Sequence, residues 1–139
     1  MLKKGLFLAI ILPALAGLSF MAFTTPQDVT PVGNEVKKGI VIADPDHDFG
    51  TIKENGGLVS VVFKVTNVSQ DDIIVVEVHA SCGCTTPQWT KEPIQPGKTG
   101  EITATFNPKG RPGPFTKTIT ATTDKGEKLI MHIRGVVEA

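Results

Sequence analysis

The stretch Val59-Ser60-Val61-Val62-Phe63-Lys64-Val65-Thr66 decides the fold, because Val59, Val61, Phe63 and Val65 fall on one parity and Ser60, Val62, Lys64 and Thr66 on the other. A period of two places alternate side chains on opposite faces of a strand, so this segment is a β-strand with one buried face. Asn55-Gly56-Gly57 before it and Ser69-Gln70-Asp71-Asp72 after it are turn formers. Ile73 to Ala80 then runs apolar until Glu77 and His79 mark the solvent side, which predicts a central strand with Ile74, Val76, Val78 and Ala80 inward. Gly100 to Asn107 alternates again, with Ile102, Ala104 and Phe106 inward. Pro108 to Pro114 is a proline- and glycine-rich connection. Phe115 to Thr123 contributes Ile119 and Ala121 to the core, Asp124-Lys125-Gly126 turns a hairpin, and Lys128 to Val137 closes the chain with Leu129, Met131, Ile133 and Val137 on one parity. Gly135 interrupts that row where another backbone can approach closely.

Upstream, Ile40 to Ala43 and His47 to Ile52 read as two pieces of one edge strand broken at Pro45, since proline is tolerated at sheet edges. No window after the leader has helical spacing. About seven strands separated by turn signals within about 100 residues predict an all-β, immunoglobulin-like sandwich over residues 40–139. The expected core is Phe49, Val61, Phe63, Val65, Ile74, Val76, Val78, Ile102, Phe106, Ile119 and Ile133.

The chain has 139 residues, enough for one domain, with 14 Lys and Arg against 14 Asp and Glu. No basic stripe with interleaved aromatics occurs, so the composition speaks against a nucleic-acid partner. Residues 1–23 combine Lys3 and Lys4, the apolar run Leu6 to Leu12 and the small residues Ala14-Leu15-Ala16, the pattern of an export signal peptide. An uncleaved membrane anchor is the competing reading, weakened by Pro13. Residues 24–39, broken by Pro26, Pro31 and Gly33, read as a flexible tether. The expected location is exported: periplasm, cell envelope or the outside of the cell.

Both cysteines and the only tryptophan lie in Ser81-Cys82-Gly83-Cys84-Thr85-Thr86-Pro87-Gln88-Trp89, which reads as a long loop extending to Pro96. An oxidising compartment permits a Cys82–Cys84 disulfide, and this is the preferred reading. Packed, inert thiols are a second. A soft Cu(I) or Zn(II) site with His79 is a third, held down because it offers three ligands and lacks a fourth. Trp89, Pro87 and Pro96 are expected to pack the loop on the sandwich, and Gln88 and Lys91 to face outward where they can touch a partner. His47, His79 and His132 fall on different strands and are expected to face solvent; none is nominated as catalytic, and no cofactor is implied.

Phe49-Gly50-Thr51-Ile52, the strand ending in Asn67, Ser81-Cys82-Gly83-Cys84-Thr85, Pro87 with Trp89, Pro93-Ile94-Gln95-Pro96-Gly97, Gly100 and Phe106-Asn107-Pro108 together resemble a family of exported bacterial domains of unknown function. The resemblance runs from about Asp46 to Val137. It implies an immunoglobulin-like fold related to the major-sperm-protein and Hydin-type domains and an envelope location, and it implies no enzymatic activity. The expected function is a non-catalytic interaction or structural module that holds another envelope protein or itself. Thiol-redox or soft-metal chemistry at the Cys-Gly-Cys loop is the alternative.

Overall fold

A computed structural model describes residues 39–139; the leader and all but the last residue of the tether lie outside the described residues. Eight strands follow in order: β1 (Ile40–Ile42), β2 (Asp46–Lys53), β3 (Val59–Asn67), β4 (Val75–Ala80), β5 (Thr85–Trp89), β6 (Thr99–Phe106), β7 (Gly113–Thr123) and β8 (Lys128–Glu138). They form two four-stranded sheets, β1-β3-β6-β5 and β2-β8-β7-β4. All neighbours are antiparallel except β2, which runs parallel to β8. With β3 to β8 taken as immunoglobulin strands B to G, one sheet is ABED and the other holds C, F and G with β2 added beside G.

The alternation expected of β3, β6, β7 and β8 holds. Phe63, Val65, Ile102, Ala104, Phe106, Ile119, Ala121, Leu129, Met131, Ile133 and Val137 are buried between the sheets. Gly135 also behaves as its position in the row predicts. A Cβ there would lie 2.8 Å from the carbonyl oxygen of Gly50 and 3.0 Å from the Phe115 ring. Gly50, at φ +65°, sits in the bulge that shifts the β2–β8 register between Asp48 and Thr51.

Four expectations need correction. First, Ile40 to Ala43 and His47 to Ile52 are not one edge strand. β1 pairs with β3 in one sheet and β2 with β8 in the other, and the chain crosses between sheets at Asp44-Pro45. Pro45 has no N–H to offer either ladder, yet its carbonyl accepts from His132 N–H at 2.8 Å and starts the new one. Second, Ile73 to Ala80 does not form a central strand. β4 is the edge of its sheet, and a bulge between Val75 and Glu77 reverses the parity. Ile73, Val75 and Val78 are therefore buried, whereas Val76 is 53% exposed and Ile74 lies at the margin. Third, the segment from Ser81 to Pro96 is not one long loop, because Thr85–Trp89 pairs with β6 as β5. Fourth, Phe49 and Val61 are only partly buried and pack against the core from its rim; Ile40 and Ile94 take interior places that the alternation did not assign.

Gly39 is tied to the sandwich: its N–H donates to Glu127 Oε1 at 2.6 Å and its carbonyl accepts from Val68 N–H at 2.8 Å.

Candidate functional site

Cys82-Gly83-Cys84 is the turn that carries the chain from β4 in one sheet to β5 in the other. Its flanks are held by backbone on both sides. Ser81 N–H donates to Thr118 O at 2.8 Å and Ser81 Oγ accepts from Thr118 N–H at 3.1 Å, while Cys84 O accepts from Asn107 N–H at 3.0 Å. The cysteines are joined as a disulfide with Cα atoms 5.3 Å apart, inside the range that a disulfide requires. Cys84 is 6% exposed and part of the core, whereas Cys82 is half-buried. The Thr85 hydroxyl, on a buried residue, lies 4.0 Å from Cys82 Sγ and 3.9 Å from Cys84 Sγ. Closing so small a loop removes little chain entropy: the loop-length relation gives about 1.6 kcal/mol, roughly half of what a 15-residue loop gains.

The structure does not bring His79 to the sulfurs. Its side chain is exposed and its Nε2 lies 2.9 Å from Glu77 Oε1. Among the described residues no three His, Cys, Asp or Glu side chains are grouped to hold a metal ion. The other histidines lie elsewhere. His132 pairs with Asp46 at 3.0 Å, and His47, expected in solvent, is half-buried with its ring edge-on to Phe49, centroids 4.5 Å apart.

Trp89 ties the two sheets together at the far end of β4 and β5 from the cysteine turn. From β5 its indole N–H donates to Val75 O on β4 at 2.8 Å, beside the bulge, and its half-buried ring packs on the core. Lys91 is exposed and holds its ammonium 2.9 Å from the centre of the Trp89 ring, a cation–π contact. Gln88 is exposed. Pro87 lies in β5 itself. Bonds from Asn107 N–H to Cys84 O and from Thr90 N–H to Glu101 O set the ladder phase, so Gln88 turns its backbone toward β6 and Pro87 turns outward. The proline thus removes a donor from an exposed edge. Pro96 is exposed and does not pack the cysteine turn. With Gly97 at φ +74° and Lys98 N–H bonded to Gln95 O at 2.9 Å, it forms the tight turn that leads into β6.

Two features escaped the sequence reading. One is Asn67, fully buried at the end of β3. Its Nδ2 donates to Asp71 O at 2.7 Å and Ile94 O at 2.6 Å, and its Oδ1 accepts from Ser69 N–H at 2.9 Å and Ser69 Oγ at 2.7 Å. The sequence placed Asn67 at the end of a strand, but an Asn two residues before a Ser is common to many turns and did not mark its side chain for burial.

The other is an open sheet edge. β1 spans 3 residues and its ladder on β3 stops at Val65, although β3 continues back to Val59. Glu101 turns its carbonyl to Thr90, just past β5, so its β3 partner Lys64 turns its backbone to the opposite side, as do Val62 and Ser60 by alternation. No described strand pairs with them there. A cleft of about 270 Å³ lies along this edge, lined by Ala43, Asp44, His47, Val61, Val62 and Lys64 among others. Val62 is 48% exposed, and Val41 on the same sheet and Leu58, just before β3, leave further apolar surface uncovered. The opposite flank, β2, is laced to β8 by exposed ion pairs: Lys53 with Glu138, and Asp48 with Arg134 at 3.1 Å. A bond from Gly50 N–H to Asp48 Oδ1 at 2.8 Å, and secondly the Arg134 guanidinium, hold the Asp48 carboxyl below its usual range.

An all-β two-sheet sandwich with the immunoglobulin strand order is thus the class of protein that the fold defines. The chain belongs to the family described as protein of unknown function (DUF1573), which matches residues 40–137. No curated protein matches. Among solved structures, a protein of unknown function from Porphyromonas gingivalis W83 is similar at 11% identity and TM-score 0.59, over 70% of this chain and 46% of that one. The VesB protease of Vibrio cholerae is similar at 13% identity and TM-score 0.56, over 71% and 32%. The YadV chaperone is similar at 11% identity and TM-score 0.51, over 73% and 53%. At these identities the likeness is one of fold, and the chain spans about half or less of the length of two of these proteins, and little more than half of the third.

Proposed function

We propose that this chain is an exported, non-catalytic module of the cell envelope that binds an extended segment of another envelope protein along the open edge of β3. The observation that carries the reading is the mismatch between a short β1 and a long β3, which leaves the backbone groups of Ser60, Val62 and Lys64 without a described strand partner beside a cleft. A segment added there would gain main-chain hydrogen bonds, and apolar residues at its alternate positions would cover Val62 and its neighbours. The edge strand β5, by contrast, is blunted by Pro87. The leader pattern of residues 1–23 supports export.

Val62→Pro is the direct test, because it removes the outward N–H while leaving every bond from β3 to β6 in place. Wild-type protein used as bait in envelope extract is expected to retain a partner, and Val62→Pro to lose it while keeping a cooperative unfolding transition. Retention of nothing above background by wild type, or equal binding by the variant, overturns the reading. A concentration-dependent dimer that Val62→Pro abolishes would make the partner a second copy. N-terminal sequencing of envelope protein should find the mature chain starting between Gly17 and Thr25.

A further inference from the structure

We propose that Cys82-Gly83-Cys84 is a thiol–disulfide exchange site, a two-electron acceptor for thiols that opens at Cys82. Four observations converge on it. The bond joins residues two apart and crosslinks no sheets, so the sandwich does not depend on it. Both flanks are fixed by backbone bonds, from Ser81 to Thr118 and from Asn107 to Cys84, so the sulfurs remain neighbours after reduction and can close again. The two cysteines are unequal: Cys84 is buried in the core and Cys82 is only partly buried against it. Finally, the turn is open to solvent, since Gly83 between the cysteines is exposed and a Cβ built on it would meet nothing within 4 Å.

Attack of a thiolate on a disulfide sulfur through a mixed disulfide is the general course of such exchange. Here a partner thiolate attacks Cys82 Sγ. A new sulfur–sulfur bond forms to Cys82 as the Cys82–Cys84 bond breaks, and the electron pair leaves on Cys84 Sγ, which takes a proton from water. A second partner thiolate then attacks the partner's sulfur in the mixed disulfide and releases Cys82 as a thiolate that is protonated in turn. The net change oxidises two thiols to one disulfide and reduces the Cys82–Cys84 pair to two thiols. The Thr85 hydroxyl, 3.9 Å from Cys84 Sγ, is the group placed to donate to the Cys84 thiolate as it leaves, offsetting the cost of forming an anion at a buried position. The site stands at the β4–β5 turn and is independent of binding at the β3 edge.

The test uses the full chain in buffers of reduced and oxidised glutathione, with alkylation trapping, intact mass and far-ultraviolet circular dichroism on the same samples. Disulfide and dithiol forms are expected to interconvert with an unchanged β spectrum. With oxidised glutathione, the Cys84→Ser variant should form its mixed disulfide at Cys82 at least about tenfold faster than the Cys82→Ser variant forms one at Cys84, as exposure governs access. Thr85→Val should slow opening by reduced glutathione about fivefold, the factor that one hydrogen bond carries, and Thr85→Ser should restore it. Reduction that occurs only as the β spectrum is lost overturns the proposal, as does equal reactivity of the two single-cysteine variants. Val62→Pro should exchange at the wild-type rate, which keeps failure here distinct from failure of the binding reading.

Discussion

Replacing Asn67 with alanine tests whether one buried amide holds the β3–β4 and β5–β6 connections together. The side chain makes four hydrogen bonds, to Asp71 O, Ile94 O, Ser69 N–H and Ser69 Oγ. At a net value of about 1 kcal/mol each they amount to about 4 kcal/mol. Ile94 O keeps its bond from Ile73 N–H, and Ser69 and Asp71 lie near enough to the surface to turn to water, so the expected loss is about 2–3 kcal/mol. In a domain of this size that lowers the melting temperature by about 10–20 °C. Urea unfolding should show a lower midpoint at an unchanged slope, because the surface exposed on unfolding stays the same. The Asn67→Asp variant adds a signature that a general packing defect would lack. Its carboxylate would face two carbonyl oxygens, raising its pKa in the folded state, so beyond the one donor that even the protonated acid lacks, the ionisation part of its penalty is absent below the unfolded value of about 3.9 and grows as pH rises above it. A loss under about 0.5 kcal/mol for Asn67→Ala, or a pH-independent penalty for Asn67→Asp, refutes the reasoning.

Gly135→Ala should cost about 1–3 kcal/mol, since the added Cβ drives Gly50 O and the Phe115 ring apart and has no room to relax; thermal unfolding reads this, and a neutral outcome would mean that the β2 bulge yields easily. Trp89→Phe keeps an aromatic ring but loses the bond to Val75 O and should destabilise by about 1–2 kcal/mol, while Lys91→Ala should cost about 0.5–1 kcal/mol through the lost cation–π contact. A double-mutant cycle on Trp89 and Lys91 that returns no coupling energy would remove that contact from the account. Asp48 supports the fold while ionised: with its folded pKa lowered from 3.8, its contribution is full above that value and lost as pH falls through the folded pKa. The difference in stability between wild type and Asp48→Asn should therefore shrink on acidification below about pH 4.

The period-two runs from Val59, Gly100, Phe115 and Lys128 announce their strands because alternation is a local property: a residue's parity decides its face as long as the pleat is unbroken. Gly135 was legible for the same reason, as a gap in a regular row. The sheet edges were not. A single bulge after Val75 reversed the parity of β4 and turned Val76 to solvent, and the extra residue leaves no mark in a run that is apolar on both parities. Thr85–Trp89 is short, polar and broken by Pro87, and becomes a strand because β6 offers a ladder whose phase leaves the proline on the outside. Ile40 to Ile42 and Asp46 to Lys53 share one stretch of sequence but two sheets, a choice made by the partners available on either side of Pro45.

The same division runs through the candidate sites. That Cys82 and Cys84 could reach one another followed from their spacing across a glycine, whereas Trp89, expected to pack a loop, packs from within β5 at the other end of that strand. Which cysteine is the less buried, that Lys91 spends its charge on Trp89, that Asn67 bridges two connections, and that β3 outruns β1 to leave Ser60, Val62 and Lys64 open were decided only in three dimensions. Each depends on contacts between segments far apart in the chain. Local pattern specifies which residues prefer burial, whereas the pairing of edges and the access to each atom are set by the elements that arrive beside them.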